Sequence, residues 1–276
     1  MTDRSNWLTA CALASACWLS AGCSSDVARP PAGTASGTGG QAGAPGAGGA
    51  AGAPATSASN CPDGGGPVDP TAMIDDMEAA DPAILMNGGR NGEWWAGGDS
   101  VSPNASIVPS GDATAEVIPN GGRCGSKHAI HVTGQGYTSW AVVTASMLYG
   151  SVDGGEQGLL PYDAHIRNGI TFWARVGDTS ANQVRFSVSD KYSRPEGGIC
   201  DVSVSTGPTA CYDNFGVALT QLGTRWTEYR IPFDGLAQQN FGLPRTALDT
   251  SAIYTVDFNF YVNEIFDFWI DDISFY

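Results

Sequence analysis

From Val68 to the end of the chain, hydrophobic residues recur at every second position in short runs, and Gly, Pro, Asn or Asp breaks each run. A period of two puts successive side chains on opposite faces of a strand. Runs of this kind cover Met73–Glu78, Ala129–Thr133, Ser139–Ala145, Gly169–Val176, Gln183–Asp190, Trp226–Ile231, Tyr254–Val262 and Phe266–Phe275. They predict about eight to ten strands. No helical period lasts beyond two turns, and no repeat of 20–50 residues recurs, so solenoids and propellers are set aside. The pattern predicts an all-β fold, a β-sandwich of jelly-roll type.

Three runs alternate cleanly. Ile170, Phe172, Ala174 and Val176 oppose Thr171, Trp173 and Arg175. Val184, Phe186 and Val188 oppose Arg185, Ser187 and Ser189. Val256, Phe258, Phe260 and Val262 oppose Asp257, Asn259 and Tyr261. The first set of each is the expected core. The second sets are expected to line one exposed sheet face with aromatic, guanidinium, carboxylate and amide groups. Flat rings pack on the apolar faces of pyranoses, and paired donors and acceptors meet hydroxyls. The candidate ligand residues are therefore Trp173, Arg175, Arg185, Asp257, Asn259 and Tyr261, with Trp140 and Tyr192 from nearby loops. The other reading is that these groups satisfy one another as cross-strand pairs on a wet face. Trp94, Trp95, Tyr137, Tyr149, Tyr162 and Tyr212 also fall in or beside Gly-rich connections, and the sequence does not sort them into plugs and binding groups.

The first part of the chain follows other rules. Pro30 to Ser59 contains only Gly, Ala, Pro, Ser, Thr and one Gln, and nothing there offsets the entropy of ordering. Before it, Arg4 precedes a mostly apolar run from Trp7 to Leu19, the length of a signal segment and too short to span a bilayer. Leu19-Ser20-Ala21-Gly22-Cys23 then resembles a bacterial lipobox, which implies acylation of Cys23, and Ser24 after it implies sorting to an outer membrane. The expected layout is a signal peptide over 1–22, a lipid-anchored disordered linker over 23–67 and a β-sandwich domain over 68–276. The expected location is the cell envelope, at the outer membrane or cell surface. A flexible spacer of ~45 residues has a typical span of ~35–40 Å, enough to let the domain search beyond the membrane.

Cysteines and charge narrow the chemistry. Of seven cysteines, Cys11 and Cys17 leave with the signal and Cys23 is the anchor. Cys61, Cys124, Cys200 and Cys211 remain, an even number in an exported chain. Cys200 and Cys211 are read as the ends of one stapled loop, and Cys61 with Cys124 follows by elimination. There is no Cys-x-x-Cys pair to support zinc. The chain has 28 acids against 13 bases; three of the acids and two of the bases precede Val68, leaving 25 against 11. So acidic a domain repels phosphate backbones and excludes nucleic acid as a partner. Catalytic signatures are missing: no nucleophile elbow, no His-Glu-x-x-His, no phosphate loop. His128, His131 and His165 show no ligand spacing. A glycosidase needs only two carboxylates, so a small envelope hydrolase stays as the least favoured reading.

The two ends of the domain carry a resemblance. Met73-Ile74-Asp75-Asp76-Met77-Glu78 and Phe266-Asp267-Phe268-Trp269-Ile270-Asp271-Asp272-Ile273 resemble the first and last strands of carbohydrate-binding jelly rolls, notably family 11 modules and the wider galactose-binding-like fold. Gly169–Arg175 and Trp226–Phe233 resemble inner strands of the same family. Asp190–Phe215, with its two cysteines, resembles a disulfide loop of some lipoprotein members. The resemblance implies a structural Ca²⁺ held by Asp76, Glu78, Asp271 and Asp272, tying the first strand to the last; hard oxygen ligands from distant segments suit that ion. The alternative is that Asp271 and Asp272 bond neighbouring amides. The resemblance also implies non-catalytic binding of a polysaccharide or oligosaccharide, β-glucan among the candidates, with the membrane touched only through the lipid. The alternative is a structural or protein-binding module with no sugar site.

Overall fold

Alternation decides which face each strand buries, and the sheet pairing decides where that face lies. The computed structural model describes residues 69–276 except 100, 120, 153 and 154. The expected signal peptide, Cys23, the linker and Cys61 lie outside the described residues. The strands are β1 (Met73–Asp75), β2 (Trp94–Gly98), β3 (Ser106–Val108), β4 (Gly111–Asp112), β5 (Glu116–Val117), β6 (His128–Gln135), β7 (Ala141–Ser146), β8 (Tyr149–Ser151), β9 (Gln157–Leu159), β10 (Gly169–Val176), β11 (Gln183–Asp190), β12 (Phe215–Thr220), β13 (Thr227–Pro232), β14 (Ile253–Phe260) and β15 (Phe266–Phe275). All eight expected runs fall on strands, with ends shifted by up to a few residues.

Two antiparallel sheets face each other. The first runs β13-β10-β15-β6-β3, with β1 added on β15 and β5 on β6. The second runs β12-β11-β14-β7-β2-β4. The expected all-β jelly-roll sandwich is the observed fold. Between the sheets Phe172 from the first packs on Phe186 (5.2 Å) and edge-on to Phe258 (4.9 Å) from the second. Phe260 stacks on Phe266 at 3.8 Å and closes one end of this aromatic core. Phe172, Phe186, Phe258 and Phe268 are fully buried, and each is worth about 3–5 kcal/mol against truncation to Ala.

The pairing corrects one expectation. Trp173 and Arg175 lie on β10, in the first sheet, whereas Arg185, Asp257 and Asn259 lie on β11 and β14, in the second. Parity along a strand shows which residues share a side; it does not show which sheet the strand joins. Trp173 and Arg175 are therefore on the opposite side of the molecule from the other candidates.

Candidate functional site

The outer face of the second sheet carries a row of residues in register: Ala218 pairs with Arg185, Arg185 with Asn259, Asn259 with Val142, and Val142 with Gly97. From Arg185 on β11 to Gly97 on β2 is three strand spacings, about 14 Å. A flat group rests on a glycine at each end. A side chain on Gly97 would meet Cη2 of Trp95 at 2.0 Å, so the Trp95 indole lies over Gly97 of its own strand, β2. A side chain on Gly216 would come within 3.0 Å of Cζ of Arg185, so that guanidinium lies across β12. Trp95 keeps 38% of its surface open to solvent, a platform of the kind pyranose faces stack on.

Hydrogen bonds hold the middle of the row. Arg185 donates to the carbonyls of Ala237 (2.8 Å) and Asn214 (3.3 Å). Both hydrogen bonds of Asn259 use Nδ2, to Ser187 Oγ (2.9 Å) and Arg185 O (3.3 Å), so its Oδ1 remains as an acceptor. Two residues further along β11 and β14, Asp257 is buried and accepts from Thr144 Oγ1 (2.6 Å), Asn214 Nδ2 (2.9 Å) and Ser187 Oγ (3.5 Å). Burial pushes its carboxyl up from the usual range, against those donors and the Arg194 charge. Asp257 thus organises the same face beside the row.

Walls flank the row. On one side Arg194 makes a two-point bond to Glu196 (3.1 and 3.0 Å) and lies 5.6 Å from the ring of Tyr212, which is 48% exposed. Burial lowers the Arg194 pKa, but Glu196 and Asp257 outweigh it and the net shift is upward. Tyr149 stands on the same side, its hydroxyl 3.4 Å from Ser146 Oγ. On the other side Tyr261 follows β14 on the outward parity, near enough to Arg185 for each to bias the other's ionisation. Trp140, just before β7 and 41% exposed, shares that side; its amide is one of three, with Thr138 and Ser139, that donate to Asp99 Oδ2.

Of the eight candidate ligand residues, then, Arg185, Asp257, Asn259, Tyr261 and Trp140 come together on or beside one face. The ring of Tyr192 is instead covered by Arg245 at 3.8 Å. Trp173, 8% exposed, sits under Arg123 at 4.1 Å on the first sheet, and Arg175 stacks against Trp269 (4.6 Å) and Trp226 (5.2 Å). These groups are packed on one another as stacked cation–ring pairs, close to the cross-strand alternative named above, although the buried Nε of Arg175 has no hydrogen-bond partner among the described residues. Trp95 and Tyr212 belong to the aromatics that the sequence leaves unsorted, and nothing in the sequence marks Thr144 or Arg194. The run Trp94-Trp95-Ala96-Gly97 held a usable signal, since a strand there buries Trp94 and turns Trp95 outward over a glycine.

Pairing of β1 with β15 brings the four expected calcium ligands to one region. Glu78 Oε1 accepts from the amides of Lys127 (2.8 Å) and His128 (3.3 Å) and from Ser126 Oγ (3.1 Å). Asp76 caps the amide of Glu78 (3.2 Å), and Asp272 is ion-paired with Arg123. Asp271 is wholly buried; burial, then the neighbouring Asp272, pushes its pKa up to about 8. Among the described residues no group of three or more His, Cys, Asp or Glu is spaced to hold a metal ion. Arg123 takes up Asp272, and backbone amides engage Asp76 and Glu78, whereas both carboxylate oxygens of the buried Asp271 lack a hydrogen-bond partner among the described residues.

Cys200 and Cys211 form the expected disulfide, with Cα atoms 5.0 Å apart. Cys124 is also disulfide-bonded.

A sandwich with an open, aromatic, hydrogen-bonding sheet face is the architecture of a carbohydrate-binding module. Residues 83–276 match the family described as carbohydrate binding domain 30, and the chain belongs to that family. Among solved structures it is similar to a family 11 carbohydrate-binding module from Clostridium thermocellum in complex with a β-1,3-1,4-mixed-linked tetrasaccharide (18% identity, 74% of this chain and 94% of that one, TM-score 0.45). It is similar also to a family 30 module of a cellulosomal cellulase of Clostridium thermocellum (14% identity, 75% and 96%, TM-score 0.46). No curated protein matches the chain.

Proposed function

We propose that the domain binds an uncharged polysaccharide of the β-glucan class without cleaving it, along the row from Arg185 to Trp95, and that acylated Cys23 holds the chain at the cell surface. The observation that carries the reading is Trp95, laid over Gly97 and open to solvent at one end of a row that offers Asn259 Oδ1 and the Arg185 edge. The length of the row fits several sugar residues of a chain better than one monosaccharide. The acidic surface disfavours polyanionic glycans. A ring stack with two or three hydrogen bonds corresponds to a Kd between ~1 mM and ~1 µM. Several anchored copies on one cell then hold a polymer through avidity. Affinity electrophoresis of the full chain through gels containing barley β-glucan, xyloglucan or other neutral glucans tests this; retardation by one of them is expected. Migration unchanged across the whole panel sinks the reading.

A further inference from the structure

The segment between β11 and β12 is built to hold one aromatic side chain in a costly position. Tyr212 has φ +70°, a region bulky residues rarely occupy, and such outliers persist only where the surroundings impose them. Four tethers do so here. The residue before it, Cys211, is bonded to Cys200. Its own amide donates to Ser193 O at 2.7 Å. The residue after it, Asp213, is buried and accepts from the amides of Gln239 (2.7 Å), Phe241 (2.9 Å) and Gly242 (3.0 Å). The next, Asn214, reaches down to Asp257 on the sheet face. So much constraint around a half-exposed ring has no use in the core, because the ring is not in the core.

Resting on the sugar-binding reading above, we infer that the disulfide-closed segment Cys200–Cys211 is a side wall of the sugar row and that Tyr212 is a second contact for an uncharged pyranose, set on the flank while Trp95 lies over Gly97 on the floor. Arg194 props the ring from within, and its charge is already answered by Glu196, so the wall offers ring face and hydroxyl and no net cation. Asn214 ties the wall to the floor through Asp257, so the two move as one body.

Two measurements on the full chain test this. Tyr212→Gly removes the ring while supplying the residue that accepts φ +70° at no steric cost. Calorimetric titration with a mixed-linked β-1,3-1,4-glucan oligosaccharide should show affinity down about tenfold, with the melting temperature held or raised. Nitration of Tyr212 by tetranitromethane, mapped by mass spectrometry, needs no substitution; saturating oligosaccharide should slow it several-fold. If the wild type binds, Trp95→Ala loses binding, and Tyr212 is neither needed nor protected, the wall is overturned and the row stands. If the wild type binds no glucan, the wall falls together with the sugar reading.

Discussion

At the scale of single residues, function here depends on where a flat group is allowed to lie. Trp95→Ala removes the platform and should weaken β-glucan binding about tenfold to a hundredfold, with little change in melting temperature, since the ring is half in solvent. Gly97→Ala leaves the tryptophan but places a methyl where the indole rests. The ring must lift, so binding should fall nearly as far; titration calorimetry beside a melting curve reads both. Trp173→Ala should do the reverse. It empties a packed site under Arg123 and should cost about 3 kcal/mol of stability while leaving retention on β-glucan unchanged. Loss of retention with unchanged stability in that variant would return Trp173 to the ligand set.

At the scale of elements, the disulfide segment replaces regular structure with tethers. Removing the cross-link in a Cys200→Ala, Cys211→Ala double variant should lower unfolding free energy by roughly 2–3 kcal/mol, the value expected for so short a loop, measured by urea titration. The sandwich should survive, because β11 and β12 pair through six residues without it. Strands of this kind are legible in sequence: alternation of Val184, Phe186 and Val188 against Arg185 and Ser187 gives both the strand and its outward residues. What is not legible is partnership between strands. β10 and β11 are adjacent in the chain, equally regular, and in different sheets. The pairing is settled by packing among Phe172, Phe186 and Phe258, which no local pattern encodes. The same holds for Tyr212 and Arg194, whose segment has no period; their position comes from the amide bonds of Tyr212 to Ser193 O and of Arg194 to Asp190 O, and from the bonds that Asp213 and Asn214 make beside Tyr212.

At the scale of the whole molecule, several aspartates are buried with raised pKa values. Asp75, bonded to the Trp94 indole, is pushed up to about 7 by burial, and Asp271 to about 8; burial raises Asp190 and Asp257 as well. A carboxyl whose pKa is higher folded than unfolded holds its proton more tightly in the fold. Its contribution is fully present below the unfolded value near 4 and is lost as pH rises through 7 to 8. Exposed Asp69, Asp163 and Asp201 shift downward and act in the opposite sense, but in open solvent their effect is small. The domain should therefore melt several degrees higher at pH 5 than at pH 8, at about 2–4 °C per kcal/mol. A flat or reversed profile would show these carboxyls ionised and compensated.

That pH profile gives the calcium expectation a sharp test, because the two accounts of Asp271 predict opposite signs. With Arg123 holding Asp272 and no ion present, ionising Asp271 is costly, and Asp271→Asn removes that cost. The variant should then be at least as stable as the wild type at pH 8, and EDTA should change neither melting curve. If calcium instead takes Asp271 and Asp272 and displaces Arg123, the carboxylates are needed in their charged form. The wild type then gains stability with free calcium by the mass-action term, about 2.7 kcal/mol at a hundredfold excess over Kd. EDTA lowers its melting temperature, and Asp271→Asn is destabilised and blind to the ion. The described arrangement, in which Glu78 is engaged by the Lys127 and His128 amides and Asp272 by a guanidinium, leads us to expect the first outcome. Calorimetric melts of both proteins at pH 8, with EDTA and with millimolar calcium, decide between them, and a calcium-dependent rise in the wild type alone would reverse the expectation.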